Sequence, residues 1–332
     1  MKKKITLHQI AQKAGVSIST VSLVLNDRPN RISDEKKQEI LQIAKQEGYI
    51  IKQKKQRDSS LPITIALLIP DISNPFFSDM IQGVIDYVHL IKGRLLLGTN
   101  GESPQKDSEQ LKEFINANIS ALLITPSYNC PPSLLENIPF PVIQVDRQSP
   151  TVPHSTIRLN NKKGGYLATQ HLINNGHKKI ACLTGPGWLL SSQERLDGYY
   201  WAMNEAEIPV SKNTIFEGNY QTDSGYRLAP DILNGDFTAL FCCNDTMALG
   251  IYQYMQQQNL RVGEDLSIIG FDDISTCRFL KTPLTTIRQS GYEIGYEACK
   301  RAFAEINDPT LIKSTILFEP ELIIRESVIS LP

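Results

Sequence analysis

Apolar positions recur along the chain with two different periods, and the change from one to the other divides it. Near the start, Leu7, Ile10, Ala11 and Ala14 return every three or four places, the spacing of one helical face. Thr6 precedes them and Gln9 stands three places after it, a pairing that satisfies two orphan backbone donors at a helix start. Gly15 closes this helix, because glycine adopts the left-handed conformation without steric cost. Val16 enters a turn, Ser17 caps a second helix, and Ile18, Val21, Val24 and Leu25 carry its apolar spacing. Asn26-Asp27-Arg28-Pro29 breaks it, and a third helix starts at Ser33 with Ile40, Ile43 and Ala44 inward and Gly48 at its end. Three short helices with a tight glycine turn between the first two predict a helix-turn-helix. Ser19, Thr20, Ser22 and Asn26 face outward on the second helix, short polar groups suited to a DNA major groove.

From Ile63 the pattern becomes short apolar runs alternating with amphipathic stretches. Strands are expected at 65–69, 94–98, 121–125, 142–145, 180–183, 239–242 and 267–271. Helices are expected between them, for example at 77–91, 108–117, 163–174, 193–206 and 246–258. This alternation predicts an α/β body of parallel sheets with helices on both faces, and about 270 residues is long for one sheet, so two lobes are expected. Ligands of such open sheets bind beyond the carboxyl ends of the strands.

Charge sharpens the division. The net charge of −1 is uneven: residues 1–57 hold thirteen Lys/Arg against five Asp/Glu, a net of +8, leaving 21 against 30 and −9 for the rest. A basic module on an acidic body is the electrostatic footprint of nucleic-acid binding. Met1-Lys2-Lys3-Lys4 is followed by no apolar run, which excludes a secretory signal, and no apolar stretch is long enough to span a bilayer. A cytoplasmic protein with no membrane partner is therefore expected. The six cysteines match no zinc spacing and read as reduced core thiols, and no metal or cofactor is expected.

The expected strand ends are polar or aromatic: Asn74-Pro75-Phe76-Phe77, Asp146-Arg147, Gly185-Pro186-Gly187, Asn244-Asp245 and Asp272-Asp273. Planar amide, carboxylate and guanidinium groups pair with vicinal hydroxyls, and rings cover the apolar face of a sugar. Each motif also has a plain structural reading as a turn, a helix cap or an ion pair. Arg147, Arg195 and Arg288 all stand near strand ends or crossovers; two of them facing the pocket would favour an acidic sugar or sugar phosphate over a neutral one. An enzyme is not expected: no dinucleotide loop, phosphate-cradling loop or nucleophile elbow is present.

Ile10-Ala11, Ala14-Gly15-Val16-Ser17, Thr20-Val21-Ser22 and Val24-Leu25-Asn26 closely resemble the headpiece of the LacI/GalR repressors. The resemblance implies base-reading positions at Ser17, Ile18, Ser19, Ser22 and Leu23, and phosphate contacts from Thr6, Thr20 and Asn26. Many members carry Arg where this chain has Leu23. The family's hinge helix, with its Pro-Asn pair and minor-groove Leu, is replaced by Ile50-Ile51-Lys52-Gln53-Lys54-Lys55-Gln56-Arg57. Asn74-Pro75-Phe76-Phe77, Val145-Asp146-Arg147, Glu194-Arg195-Leu196-Asp197-Gly198, Cys243-Asn244-Asp245, Gly270-Phe271-Asp272-Asp273 and Pro283-Leu284-Thr285-Thr286 also look like family motifs.

The same resemblance implies an all-α helix-turn-helix headpiece plus a periplasmic-binding-protein-like α/β body of two doubly wound lobes joined by three crossovers. By this likeness, residues 1–60 form the DNA-binding domain and hinge, with the helix-turn-helix at 7–26, and residues 61–332 the effector-binding and dimerisation domain. Within it, the first lobe is expected to span about 61–160 and 290–325 and the second about 161–289. The family motifs further imply that Asn74, Phe76, Phe77, Asp146, Arg195, Tyr220, Asn244, Asp272 and Gln289 hold the effector, with Arg147 beside Asp146. The function implied is that of a homodimeric repressor of carbohydrate-utilisation genes, bound to a palindromic double-stranded operator and relieved by a sugar. A corepressor-dependent regulator and a sugar-binding protein without DNA function are the alternatives.

Overall fold

The first helix begins where Thr6 and Gln9 exchange hydrogen bonds: the Gln9 amide donates to Thr6 Oγ1 at 3.4 Å, and the Thr6 amide donates to Gln9 Oε1 at 2.9 Å. A computed structural model of the chain describes residues 6–25, 32–46, 62–136, 138–148 and 154–332. These fall into two units, divided in sequence between Leu61 and Pro62. Helix α1 (Leu7–Ala14) ends at Gly15, whose φ of 62° requires the left-handed conformation. Helices α2 (Ile18–Leu25) and α3 (Asp34–Gln46) follow. Ile10, Ala11, Ala14, Val21, Val24, Leu25, Ile40 and Ala44 close the core of this small unit. Asn26, Gly48 and the hinge expected at 50–58 lie outside the described residues.

The second unit opens with β1 (Thr64–Ile69), α4 (Pro75–Leu90), β2 (Arg94–Thr99), α5 (Pro104–Asn116), β3 (Ala121–Ile124), α6 (Pro132–Glu136), β4 (Val142–Val145) and β5 (Ser155–Leu159). It continues with α7 (Asn161–Asn174), β6 (Ile180–Thr184), α8 (Leu190–Glu205), β7 (Ile215–Glu217), α9 (Thr222–Leu233), β8 (Ala239–Cys242), α10 (Asp245–Gln257), β9 (Ser267–Asp272) and β10 (Thr285–Arg288). Helix α11 (Gly291–Asn307), β11 (Thr315–Phe318) and β12 (Glu321–Ile323) complete it. Two six-stranded sheets result, ordered β11-β5-β4-β3-β1-β2 and β12-β10-β9-β8-β6-β7. Ile65, Leu67 and Ile69 of β1 enter one apolar cluster while Ala66 and Leu68 enter another. The strand is thus buried on both faces, and its unbroken apolar run is the sequence mark of a covered parallel sheet. The six cysteines are free thiols, all buried.

The chain passes between the sheets three times, from β5 to α7, from β10 to α11 and from β11 to β12. The last passage corrects the expected boundary at 325. Strand β12 belongs to the second sheet, paired antiparallel with β10 through Thr286↔Ile323 and Arg288↔Glu321. It satisfies the open edge of β10, and the tail stays on this lobe: the Leu331 amide donates to the Asn175 carbonyl at 2.8 Å.

Candidate effector site and nucleic-acid interface

The carboxyl ends of strands from both lobes face one cleft. From the first lobe come Asn74, Phe76 and Phe77, after β1, and Asp146 and Arg147, after β4. The second lobe supplies Ser191 and Arg195 from α8, Tyr220 after β7, Asn244 after β8, Asp272 at the end of β9 and Gln289 after β10. Counting its open mouth, the cleft holds about 320 Å³ of empty space. All ten positions expected to hold an effector line it, and Ser191 is the addition. Ser191 stands one helical turn before Arg195, a spacing that places both on one face of α8.

Local backbone chemistry aims these side chains. Asn74 caps α4, its Oδ1 accepting from the Phe76 amide at 3.1 Å with Pro75 in the first turn. Asn244 caps α10 through the Met247 amide at 2.9 Å, and its Nδ2 donates to the Tyr220 carbonyl at 3.0 Å. Asp146, Tyr220, Asp272 and Asp273 adopt positive φ of 64°, 67°, 122° and 60°. Non-glycine residues are conformationally strained there, and such strain concentrates at functional sites.

Arg195 is the electrostatic centre. It is 4% exposed, and its guanidinium stacks 3.7 Å from the Phe271 ring centroid. Its Nε donates to Asn161 Oδ1 at 2.9 Å, its Nη1 to the Cys243 carbonyl at 2.6 Å, and Nη1 lies 3.6 Å from Asp272 Oδ1. Asp272 in turn accepts from Gln289 Nε2 at 2.6 Å. Burial pushes the Asp272 carboxyl well above the usual carboxylate range, against the pull of Arg195. Asp146 is raised for the same reason, opposed by Arg147, Arg195 and Arg158. Arg195 thus acts on both buried carboxyl groups, and Arg147 Nε lies 3.7 Å from Asp146 Oδ2. Arg147 is bound by Glu102, Nη1 lying 2.7 Å from each carboxylate oxygen. Arg288 is directed elsewhere, paired with Asp273 and Glu321 at 2.8 Å each, so two of the three arginines reach the cleft.

Gln289 lines the cleft, and its buried Oε1 has no hydrogen-bond partner. Phe76 and Phe77 meet edge to face at 5.1 Å and form its apolar wall. Tyr220 joins them, its hydroxyl 2.7 Å from Ser192 Oγ. Burial raises that phenol to about 12, although Arg195 draws it down, so it stays protonated. The ring lies where a side chain on residue 185 would be: a Cβ on Gly185 would fall 2.1 Å from Tyr220 Cζ.

In the first unit, Ser17 Oγ lies 2.7 Å from Ser19 Oγ and 2.8 Å from Thr20 Oγ1, and it accepts from the Thr20 amide at 3.1 Å. These bonds cap α2 and gather the small hydroxyls at its N-terminus. Ile18 projects beside them, 46% exposed. Ser22 and Leu23 are half-buried and Thr6 is exposed. An exposed isoleucine among serines suits apolar contact with a thymine methyl, and a helix N-terminus suits a phosphate.

Comparison with known proteins agrees with both units. A family model described as bacterial regulatory proteins, lacI family, matches residues 6–51, and one described as a periplasmic binding protein-like domain matches residues 169–328. The ribose operon repressor of Haemophilus influenzae is 34% identical over 98% of this chain and 99% of that protein. The HTH-type transcriptional repressor PurR of Vibrio vulnificus is 32% identical over 97% of this chain and 98% of that protein. A LacI family transcriptional regulator from Enterococcus faecium, crystallised with bound ribose, matches at a TM-score of 0.74 and 27% identity, covering 81% of this chain and 100% of that one. A helix-turn-helix headpiece carried with a two-lobed α/β body defines a DNA-binding transcription regulator, not an enzyme. The chain belongs to the LacI family. Among the described residues, no helix is long and apolar enough to cross a membrane.

Proposed function

We propose that this regulator is a homodimeric, cytoplasmic repressor of carbohydrate-utilisation genes, released from a palindromic operator by a neutral pentose of the ribose type. One observation carries the ligand class: both cleft arginines already face carboxylates, Arg195 facing Asp272 and Asp146, and Arg147 facing Glu102 and Asp146. An anionic ligand would meet two buried acidic side chains beside guanidinium groups that already face carboxylates. A polyol brings hydroxyl donors to those carboxylates and to Gln289 Oε1, and its apolar ring face meets Phe76, Phe77 and Tyr220. This reading selects a neutral sugar over the acidic sugar or sugar phosphate that two cleft arginines alone would favour. The ribose operon repressor relative and the ribose-bound structural neighbour support it.

The effector is held by Asn74, Phe76, Phe77, Asp146, Arg147, Ser191, Arg195, Tyr220, Asn244, Asp272 and Gln289. The operator is read by Ser17, Ile18, Ser19, Ser22 and Leu23, with Thr6, Thr20 and Asn26 on phosphates. The domain division near residue 60 is supported by the separation of the two units between Leu61 and Pro62. An inducer acts by binding the DNA-incompetent interlobe arrangement more tightly than the competent one. Titration calorimetry with D-ribose, ribose 5-phosphate and galacturonate tests the ligand class. D-ribose is expected to bind at least tenfold more tightly than either anion; tighter binding of an anion overturns the proposal.

A further inference from the structure

Outside the cleft lining, two rings from opposite lobes meet at its rim. Tyr128 follows β3 in the first lobe and Trp188 follows β6 in the second, and their ring centroids are 4.8 Å apart at a tilt of 40°. Tyr128 is 46% and Trp188 38% exposed, so the contact stands at the water-facing edge and not in a core. Close by in the strand order, Gln221 Nε2, after β7, reaches Asp71 Oδ2, after β1, at 3.5 Å. The crossover strands β5, β10, β11 and β12 lie toward one end of the two sheets, whereas β1, β3, β6 and β7 lie toward the other. Both contacts therefore span the side of the cleft away from the chain crossings.

Each ring stands on a loop pinned to its own lobe. Ser127, next to Tyr128, receives the support of Asp107: its amide donates to Asp107 Oδ2 at 3.2 Å and its hydroxyl bonds the same oxygen. Asp107 is itself held by Asn100 Nδ2 at 2.7 Å. The loop before α8 is tied by the Gly187 amide to Glu217 at 3.0 Å and by Gln193 Nε2 to the Gly187 carbonyl at 2.7 Å.

We infer that Tyr128 and Trp188 form a cross-cleft latch that prolongs the residence of a bound sugar without touching it. This rests on the reading of the cleft as the effector site. Lobe opening must break the ring contact, so the latch slows dissociation and leaves the polar recognition of the sugar unchanged. A tilted aromatic pair of this kind corresponds to roughly a three- to tenfold effect on an equilibrium.

Two measurements on the full-length protein test it. D-ribose dissociation is followed by stopped flow in the parent, Tyr128→Ala, Trp188→Ala and the double variant, using competition with unlabelled sugar. Each single variant is expected to release D-ribose about three- to tenfold faster, the double variant no faster than the quicker single, with the ligand-free melting temperature unchanged. Equal release rates in all four proteins overturn the latch. The second measurement needs no sugar. Trp188 and Trp201 are the only tryptophans, so a Trp201→Phe background reports on Trp188 alone. There Tyr128→Ala is expected to raise acrylamide quenching of Trp188 by about half or more; unchanged quenching means the rings do not meet in solution and overturns the latch independently. If the parent fails to bind D-ribose while quenching changes as expected, the effector assignment fails and the latch on sugar release is overturned with it, whereas the ring contact across the cleft stands.

Discussion

The Arg195 guanidinium lies 3.6 Å from the Asp272 carboxylate with both side chains at most 5% exposed. At that burial the guanidinium is cut off from bulk water and depends on Asp272, Asn161 and the Cys243 carbonyl around it. Removing one partner leaves a buried charge unmatched, an effect on the order of 2–5 kcal/mol where such pairs also engage a binding partner. Asp272→Asn keeps the shape and a bond to Gln289, yet removes a sugar-hydroxyl acceptor. Its D-ribose affinity is expected to fall at least thirtyfold by calorimetry; a change below threefold would remove Asp272 from the recognition scheme.

Gly185 exists for the Tyr220 ring. A methyl group on residue 185 would stand 2.1 Å from Tyr220 Cζ and 2.4 Å from its Cε2. Gly185→Ala therefore displaces the ring and costs about 1–3 kcal/mol by overpacking. Tyr220→Ala in the same chain removes the clash, so the double variant is expected to lose less stability than the two single losses added together. Additive losses, measured by urea denaturation, would show that the ring does not fill this space.

Asp245 gives stability a distinctive pH dependence. It is buried, accepting from Thr286 Oγ1 at 2.7 Å and from the Ile274 amide at 3.0 Å, and burial raises its carboxyl to about 6 from 3.8. A raised carboxyl holds its proton in the folded state at a pH where the unfolded chain has lost it. Its contribution is thus full below about pH 4 and declines as pH rises to about 6, by up to about 3 kcal/mol. Between pH 4.5 and 7, Asp245→Asn is expected to lose less stability than the parent; an equal or steeper loss in urea midpoints contradicts the assignment.

Leu23 offers a test of base reading. It sits on the half-buried flank of α2, four residues beyond Ser19. Leu23→Arg supplies a planar fork that reads guanine O6 and N7, worth about 1–3 kcal/mol at one base pair. In a selection from random duplexes the variant should enrich guanine at one position of each half-site. Enrichment identical to the parent would place residue 23 away from the bases.

The sequence made the cleft legible and parts of the scaffold not, for physical reasons. Asn74, Asp146, Asn244 and Asp272 stand at or shortly after apolar strands, and strand ends are where open sheets bind ligands, whereas Arg195 lies within α8. Expected helix starts fall one to four residues late, at 77, 108, 163, 193 and 246 against Pro75, Pro104, Asn161, Leu190 and Asp245. The first turns are set by capping side chains such as Asn74, Ser103, Asn160 and Asn244, which carry no apolar period. Helices α9 and α11, which are not among the examples expected from the pattern, carry Gly225, Gly291 and Gly295, residues of low helix propensity. Packing demands those glycines: a Cβ on Gly225 would fall 2.0 Å from the Met247 carbonyl, and one on Gly295 2.2 Å from that of Met80. Strands β7, β10, β11 and β12 have three or four residues each and are defined by their long-range partners. The β12 pairing with β10, which decides the last lobe boundary, has no local signature.

The proposed function requires that sugar in the cleft govern the hold of the headpieces on DNA. The decisive experiment is fluorescence anisotropy of the full-length protein on duplexes it has itself selected from genomic fragments, with and without D-ribose. Selected duplexes are expected to bind at least a hundredfold more tightly than random competitor at low salt, and saturating D-ribose to weaken that binding tenfold or more. Tightening by D-ribose would make the protein corepressor-dependent, and no preference for any duplex would refute DNA-linked sugar sensing outright.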